Sequence, residues 1–99
     1  MSYAWENFRG AIQTLAGTGS QKDRLASAYI HNLVRLEPKD LPKKIQEDFS
    51  KLSKDITRIE GADGSVIATV NEMDESHIKQ MVEKIIDMHD TVTRHREPL

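Results

Sequence analysis

The segment Gly17–Arg24, GTGSQKDR, has the residue types of a phosphate-binding loop. Exposed backbone N–H groups at a helix start can hold an anion, and two basic residues lie close by. A P-loop or a dinucleotide-binding loop would need a further glycine where Lys22 stands, and the preceding segment has helical rather than strand periodicity. The composition therefore favours a turn in which Ser20 caps the following helix and Asp23 completes a pair resembling a capping box. The residues that remain candidates for an anion site are Gly19, Ser20, Lys22 and Arg24.

The histidines lack the spacing of metal ligands. His31, His77, His89 and His95 form neither H-E-x-x-H nor a pair four residues apart, and no E-x-x-H occurs in the chain. A di-metal site in a helical bundle would need such pairs on several helices. We therefore predict no metal and no cofactor. His89 lies on an apolar stripe, where a histidine is usually a hydrogen-bonded residue at the edge of the core; a pH-sensitive contact is the alternative.

Three carboxylates, Glu83, Asp87 and Asp90, share one face of the last predicted helix. Paired carboxylates act as general acid and base only where their surroundings separate their pKa values. These three lie on the polar side of an apolar stripe, which predicts a solvated acidic face. Ser76 and His77 are adjacent in sequence and cannot face each other on a helix as a nucleophile and its base. The sequence predicts no catalytic residue and a protein that is not an enzyme.

Lysines at the start of the third predicted helix suit an alternative function, that of a DNA-binding regulator of the helix-turn-helix type. The helix beginning near Leu41 would then carry Lys43 and Lys44 into a DNA groove. Glu47 and Asp48 on the same outer face would meet the phosphates unfavourably. This mixed charge argues against nucleic acid as a partner.

Apolar residues recur every three or four positions along four segments, as is typical of amphipathic α-helices. They predict helices over residues 3–16, 21–36, 41–59 and 75–93 of a single domain, 1–99. The second helix is apolar over half of its circumference and should be the most central. We therefore predict an all-α fold, a small four-helix bundle. The third helix carries a narrow seam of heptad spacing, formed by Ile45, Phe49, Leu52, Ile56 and Ile59.

Five residues predict where these helices begin and end. Ser2, Asp40 and Asp74 can cap helix starts, because their side-chain oxygens accept hydrogen bonds from the first backbone N–H groups. Gly17 is expected to end the first helix in a left-handed conformation, which costs glycine little. Gly61 is expected to end the third helix.

Residues 66–72 give a mixed signal. Val66–Val70 has the β-branched composition of a strand, and Asp63–Gly64 is a pair common in hairpin turns. No second strand in the chain is available to pair with it, and the same apolar residues also fall on one helical face with Ser65 as the cap. We predict a short fifth helix or an ordered loop packed on the core, between the third and fourth main helices.

The composition is that of a soluble intracellular protein. The chain has 99 residues, no cysteine, 30% charged residues and no apolar run long enough to span a bilayer, and its first residues predict no signal peptide. A chain without cysteine suits a reducing compartment, so we expect a cytoplasmic location and no membrane partner. The net charge is −2; residues 21–60 carry +2 and residues 61–99 carry −4. This mild asymmetry lacks the basic excess of a nucleic-acid-binding surface.

Apolar residues also suggest a partner. The last main helix carries a wide apolar arc and residues 66–70 lack a partner strand, so both are candidate interfaces of a homodimer, the commonest closed assembly. A good core pattern, a mixed surface and no catalytic signature favour a non-enzymatic protein–protein interaction or regulatory module over the DNA-binding and anion-binding alternatives. The candidate interface residues are Ile86, Met88, Val66 and Ile67.

Overall fold

The computed structural model describes residues 3–95. Five α-helices follow one another along this part of the chain and no strand occurs in it, which confirms the predicted all-α fold. None of these helices combines the length and the apolar composition that crossing a membrane requires. The helices are α1 (Tyr3–Leu15), α2 (Gln21–Ala28), α3 (Lys43–Ile56), α4 (Ser65–Glu72) and α5 (Glu75–His95).

One apolar core joins the five helices. α1 packs on α5 and α2, α3 packs on α4 and α5, and α4 also packs on α2. At the start of α1, Trp5 Nε1 donates a hydrogen bond to Thr93 Oγ1 near the end of α5, at 3.2 Å, so these two helices run antiparallel. The rings of Phe8 and Phe49 meet edge to face with centroids 6.2 Å apart and link α1 with α3.

α1 ends at Leu15, one position before the predicted end. Gly17 does not adopt the left-handed conformation; the positive φ of this turn, 94°, falls on Gly19. The N–H of Gly17 instead donates to the carbonyl of Thr14 at 3.1 Å, and this tighter turn satisfies a terminal carbonyl without a left-handed residue. The predicted cap Ser2 lies outside the described residues.

The second helix is shorter than the predicted 21–36. After α2 the chain makes a π-helical turn over Tyr29–Leu33, closed by a 2.9 Å hydrogen bond from Val34 N–H to the carbonyl five residues earlier. Asn32 in this turn lies against α1 at Gly10, where a Cβ would clash with Asn32 Oδ1. The wide turn and the missing side chain together allow an amide to lie between two helices, an arrangement that hydrophobic periodicity does not reveal.

α3 begins later than the predicted residue 41. Asp40 does not cap it; Asp40 lies in a 3₁₀ turn, Pro38–Asp40, and its carboxylate accepts a hydrogen bond from Glu37 N–H at 2.9 Å. Pro42 occupies the cap position with an extended backbone, ψ 141°, and the helix starts at Lys43. The prediction was wrong because the two prolines create a separate turn in front of the helix.

α3 also ends at Ile56 rather than at the predicted residue 59. The N–H of Ile59 donates to Thr69 Oγ1 at 2.9 Å, and Thr69 is fully buried in α4. This N–H therefore bonds to another helix instead of continuing α3. Gly61 does not end α3; it lies where the loop crosses α4, and a Cβ there would be 2.7 Å from the Cβ of Ala68.

α4 and α5 follow the remaining predictions closely. Residues 66–72 are helical, as one of the two predicted forms, but Gly64 with φ 101° holds the cap position assigned to Ser65. Asp74 Oδ1 accepts a 2.8 Å hydrogen bond from His77 N–H and caps α5 as predicted. α5 continues to residue 95 instead of 93. Its buried stripe consists of Ile78, Met81, Ile85, Met88 and Val92.

Candidate interaction surfaces

A groove of about 420 Å³ lies between α3 and α5. Ile45 and Met88, both almost fully buried, form its floor. Its α3 wall runs from Lys44 to Lys51 and its α5 wall from Lys84 to Thr91, each two helical turns or about 10 Å long. The residues that line this α3–α5 groove are Lys44, Ile45, Asp48, Lys51, Lys84, Asp87, Met88 and Thr91.

The rim of the α3–α5 groove is cationic on balance. Three lysines stand against two aspartates, which gives a formal local charge of +1. Lys51 forms an ion pair with Glu47 at 3.4 Å, but both side chains are mostly exposed, and such pairs within a helix contribute little and separate easily. Neither Lys44 nor Lys84 forms an ion pair with another described residue. All three ammonium groups can therefore turn toward an acidic ligand.

Beside this groove α5 carries the acidic strip, which we define as Glu83, Ile86, Asp87 and Asp90. The strip faces solvent, as predicted for the three carboxylates, and the side chain of Ile86 between them is 48% exposed. Asp87 also lines the groove, so the strip and the groove share an edge. Asp90 pairs with Arg94 at 3.1 Å through exposed side chains. The strip therefore combines an apolar side chain with carboxylates over two helical turns.

The predicted interface residues divide between surface and core. Ile67 and Ile86 are exposed at 36% and 48%, whereas Val66 and Met88 are buried at 8% and 3%. Val66 and Ile67 are neighbours on α4 and therefore differ by about 100° in direction, one toward the core and one toward solvent. Met88 still meets the outside as part of the α3–α5 groove floor.

A second groove, also of about 420 Å³, lies between α2 and α4. Its lining is more apolar and includes the exposed side chain of Ile67. Across it, Lys22 Nζ donates a hydrogen bond to the carbonyl of Asn71 near the end of α4, at 3.1 Å. The residues that line this α2–α4 groove are Lys22, Asp23, Ala26, Ser27, Ile30, His31, Ile67, Val70 and Asn71.

The glycine-rich turn forms the helix cap that the sequence predicts. Ser20 Oγ accepts a 3.1 Å hydrogen bond from Asp23 N–H at the start of α2. The basic side chains point to backbone carbonyls: Lys22 to the end of α4, and the Arg24 guanidinium to the carbonyl of Gly19. Arg24 Nε is buried without a hydrogen-bond partner among the described residues. The cap is confirmed, and anion binding by this turn stays a prediction.

A histidine–carboxylate contact that the sequence analysis missed joins α3 to α5. His77 Nε2 lies 2.7 Å from Asp55 Oδ2, and Arg58 Nε lies 3.3 Å from the other oxygen of the same carboxylate. The side chains of His77 and Asp55 are only 29% and 30% exposed. No spacing rule connects residues 22 positions apart, so only the packing of α3 on α5 reveals the contact.

The remaining histidines are not brought into a cluster. Within residues 3–95 no group of three or more histidine, aspartate or glutamate side chains is placed to hold a metal ion. His89 is half-buried at the edge of the α5 stripe, where the sequence placed it. Its pH-sensitive role stays a prediction.

The chain between α2 and α3 differs from a helix-turn-helix connection. The π-helical turn ends at Leu33 and α3 starts at Lys43, so residues 34–42 separate the helices instead of the three or four residues of that motif. α3 packs on α4 and α5. Of the lysines assigned to a recognition helix, Lys44 lines the α3–α5 groove together with Asp48. This geometry gives the DNA-binding alternative no added support.

Comparison with protein-family models, with curated proteins and with solved structures found no match to this chain. The fold and the surfaces described above are therefore the basis for a proposal about function.

Proposed function

We propose that this protein is a non-enzymatic interaction module that binds an acidic amphipathic helix of a protein partner in the α3–α5 groove. The observation that carries the proposal is the combination of three lysine side chains with the apolar floor of Ile45 and Met88. Helices that dock in grooves insert an apolar side chain and place charged residues at the rim. Lysine ammonium groups at the rim select a partner with carboxylates there.

The dimensions of the groove suit a helix. Both walls are helices, and the lined part of each spans two turns, about 10 Å. A docked helix would present one apolar residue to the floor and acidic residues one turn before and after it, at spacings of three or four positions. A DNA backbone suits the groove less well, because phosphates offer no apolar group for the floor formed by Ile45 and Met88.

A synthetic helical peptide tests this proposal. The probe is a fluorescently labelled 14-residue peptide with one apolar stripe of isoleucines flanked by glutamates, compared with the same peptide carrying lysines in place of the glutamates. We expect saturable binding of the acidic peptide, measured by fluorescence anisotropy at low salt, and weaker binding as salt screens the rim charges. The basic peptide should not bind.

Charge reversal in the groove gives the matched comparison. The double variant K44E/K51E reverses two rim lysines, and we expect at least about tenfold weaker binding of the acidic peptide, since two attractive contacts at the rim become repulsive. The control variant K43E/K54E changes the charge equally on the same helix at exposed residues that do not line the groove. Equal loss of binding in both variants, or no binding to the wild type, would contradict the proposal.

A further inference from the structure

We infer that a second copy of this chain supplies the acidic helix, so that the acidic strip of each copy lies in the α3–α5 groove of the other. This inference rests on the proposed function and names its partner. The two features sit next to each other on α5, with Asp87 common to both. The partner that matches the groove chemically is therefore already present on the same surface.

The strip has the chemistry that the groove requires. Ile86, 48% exposed, lies between Glu83 and Asp90, which precede and follow it by about one turn. Inserted in the groove of a second copy, Ile86 would meet the floor of Ile45 and Met88 while the two carboxylates reach lysines on the rim. The large side chain of Ile86 would thus be removed from water, and in each of the two grooves the carboxylates of one copy would face the lysines of the other.

The length of the strip also matches that of the groove. Glu83 to Asp90 covers two helical turns, about 10 Å, and the lined part of the groove is equally long. Basic residues, Lys79 before the strip and Arg94 after it, bound the acidic segment at both ends. The complementary region is therefore limited to these two turns.

Adjacent donor and acceptor surfaces are what a two-fold dimer needs. In a closed two-fold interface the same patch serves both copies, so that residue i of one contacts residue j of the other and the reverse contact also forms. A strip and a groove that share the edge at Asp87 can both be used when two α5 helices approach antiparallel across the axis. The contact would occupy a small interface, and small interfaces of this kind are weak and exchange readily.

The experiment uses two variants of the full chain that are complementary to each other. E83K/D90K reverses the strip, and K44E/K51E reverses the groove. In a dimer of either variant alone, both contacts bring like charges together. In a mixed dimer, one contact pairs a lysine strip with a glutamate groove and the other is the wild-type contact. Restoration on mixing cannot come from a general effect on folding.

Sedimentation velocity over a wide concentration range, at low and high salt, gives the readout. We expect the wild type to form a salt-sensitive dimer, each variant alone to associate at least about tenfold more weakly, and the mixture to return to near the wild-type constant. The variant K43E/K54E should dimerise like the wild type. Circular dichroism of each variant should show unchanged helix content.

The results that would overturn the dimer are specific. A wild-type chain that stays monomeric up to high micromolar concentration, or a mixture no stronger than its components, rules it out. If the synthetic acidic peptide still binds the groove in that case, the proposed function stands with a different partner. If neither the peptide nor a second copy binds, the proposed function fails as well.

Discussion

The two grooves have the same volume, about 420 Å³, but their walls are held together differently. The walls of the α3–α5 groove are joined beyond one end by Asp55 and His77, 2.7 Å apart and less than one-third exposed. The α2–α4 groove is bridged by an exposed hydrogen bond from Lys22 Nζ to the carbonyl of Asn71, at 3.1 Å. One groove has a half-buried link between its walls, and the other has a long flexible side chain.

In the α3–α5 groove, the residues that join the two walls differ from the residues available to a ligand. In the α2–α4 groove, one residue has both positions. Around the α3–α5 groove the residues that fix the walls are distinct from the lysines of the rim, so the rim can be changed while the walls stay in place. In the α2–α4 groove Lys22 is at once a lining residue and the bridge. Behind the wall formed by α4, the buried side chain of Thr69 accepts a hydrogen bond from the N–H of Ile59. Stability measurements on single residues can test each part of this contrast.

The largest effect on the free energy of unfolding is expected on the buried face of α5. Ile85 is fully buried and Ile86, the next residue, is 48% exposed. Ile85→Ala should lower the free energy of unfolding by about 2–5 kcal/mol through lost burial and a cavity, whereas Ile86→Ala should change it by no more than about 0.5 kcal/mol. Urea unfolding at low protein concentration compares the two. Similar losses would mean that the two faces of α5 are assigned wrongly.

A smaller loss of unfolding free energy is expected at Thr69, on the buried face of α4. Thr69→Val keeps the shape of the side chain but leaves the N–H of Ile59 without its 2.9 Å acceptor. An unsatisfied backbone group in a partly buried site costs about 1–3 kcal/mol of unfolding free energy. Thr57→Val serves as the control, because Thr57 is exposed and its hydroxyl donates to the carbonyl of Ser53 one turn earlier in the same helix region. Thermal unfolding should rank the Thr69 variant clearly below this control.

Thr69 also marks the limit of what the sequence could predict. The helical segments and their buried faces follow from apolar spacing, because a helix must turn one stripe toward the core. The end of α3 does not follow from it, since Ile59 continues the heptad seam and yet bonds to Thr69 ten residues later. The π-helical turn at Asn32 likewise depends on the absence of a side chain at Gly10. Both boundaries are decided by tertiary contacts that have no periodic signal.

The candidate surfaces were predictable to a smaller extent. The sequence predicts Ile86 as an interface residue from the wide apolar arc of the last helix, and Ile67 because residues 66–70 lack a partner strand; both are exposed. The lysine rim was not identified, because Lys44 and Lys84 come from helices that meet only in the folded chain. Spacing within one helix shows which face a residue occupies, but not which face of another helix lies opposite.

The contact between Asp55 and His77, beyond one end of the α3–α5 groove, should contribute moderately to stability. A double-mutant cycle with Asp55→Ala and His77→Ala isolates the contact between the two side chains. We expect a coupling free energy of about 0.5–1 kcal/mol, above that of a fully exposed pair because both side chains are largely covered. The Glu47–Lys51 pair on α3 provides the comparison, with side chains that are 82% and 69% exposed. Equal coupling in the two cycles would mean that the partial burial of Asp55 and His77 does not strengthen their contact.

The smallest effect on stability is expected at Lys22. Lys22→Ala removes an exposed hydrogen bond to Asn71 and should change the unfolding free energy by no more than about 0.5 kcal/mol. Ser20→Ala, two residues earlier, should cost about 1 kcal/mol, because it deletes the 3.1 Å cap of α2.

The same two variants test anion binding at this turn. Each is melted with and without a panel of nucleotides and inorganic phosphate, since a ligand present at a hundred times its dissociation constant stabilises the fold by about 2.7 kcal/mol. The bonds of Lys22 and Arg24 to backbone carbonyls lead us to expect no stabilisation of the wild type. A saturable increase in melting temperature that disappears in Lys22→Ala would instead establish the turn as an anion site and make Lys22 a ligand-binding residue rather than a bridge.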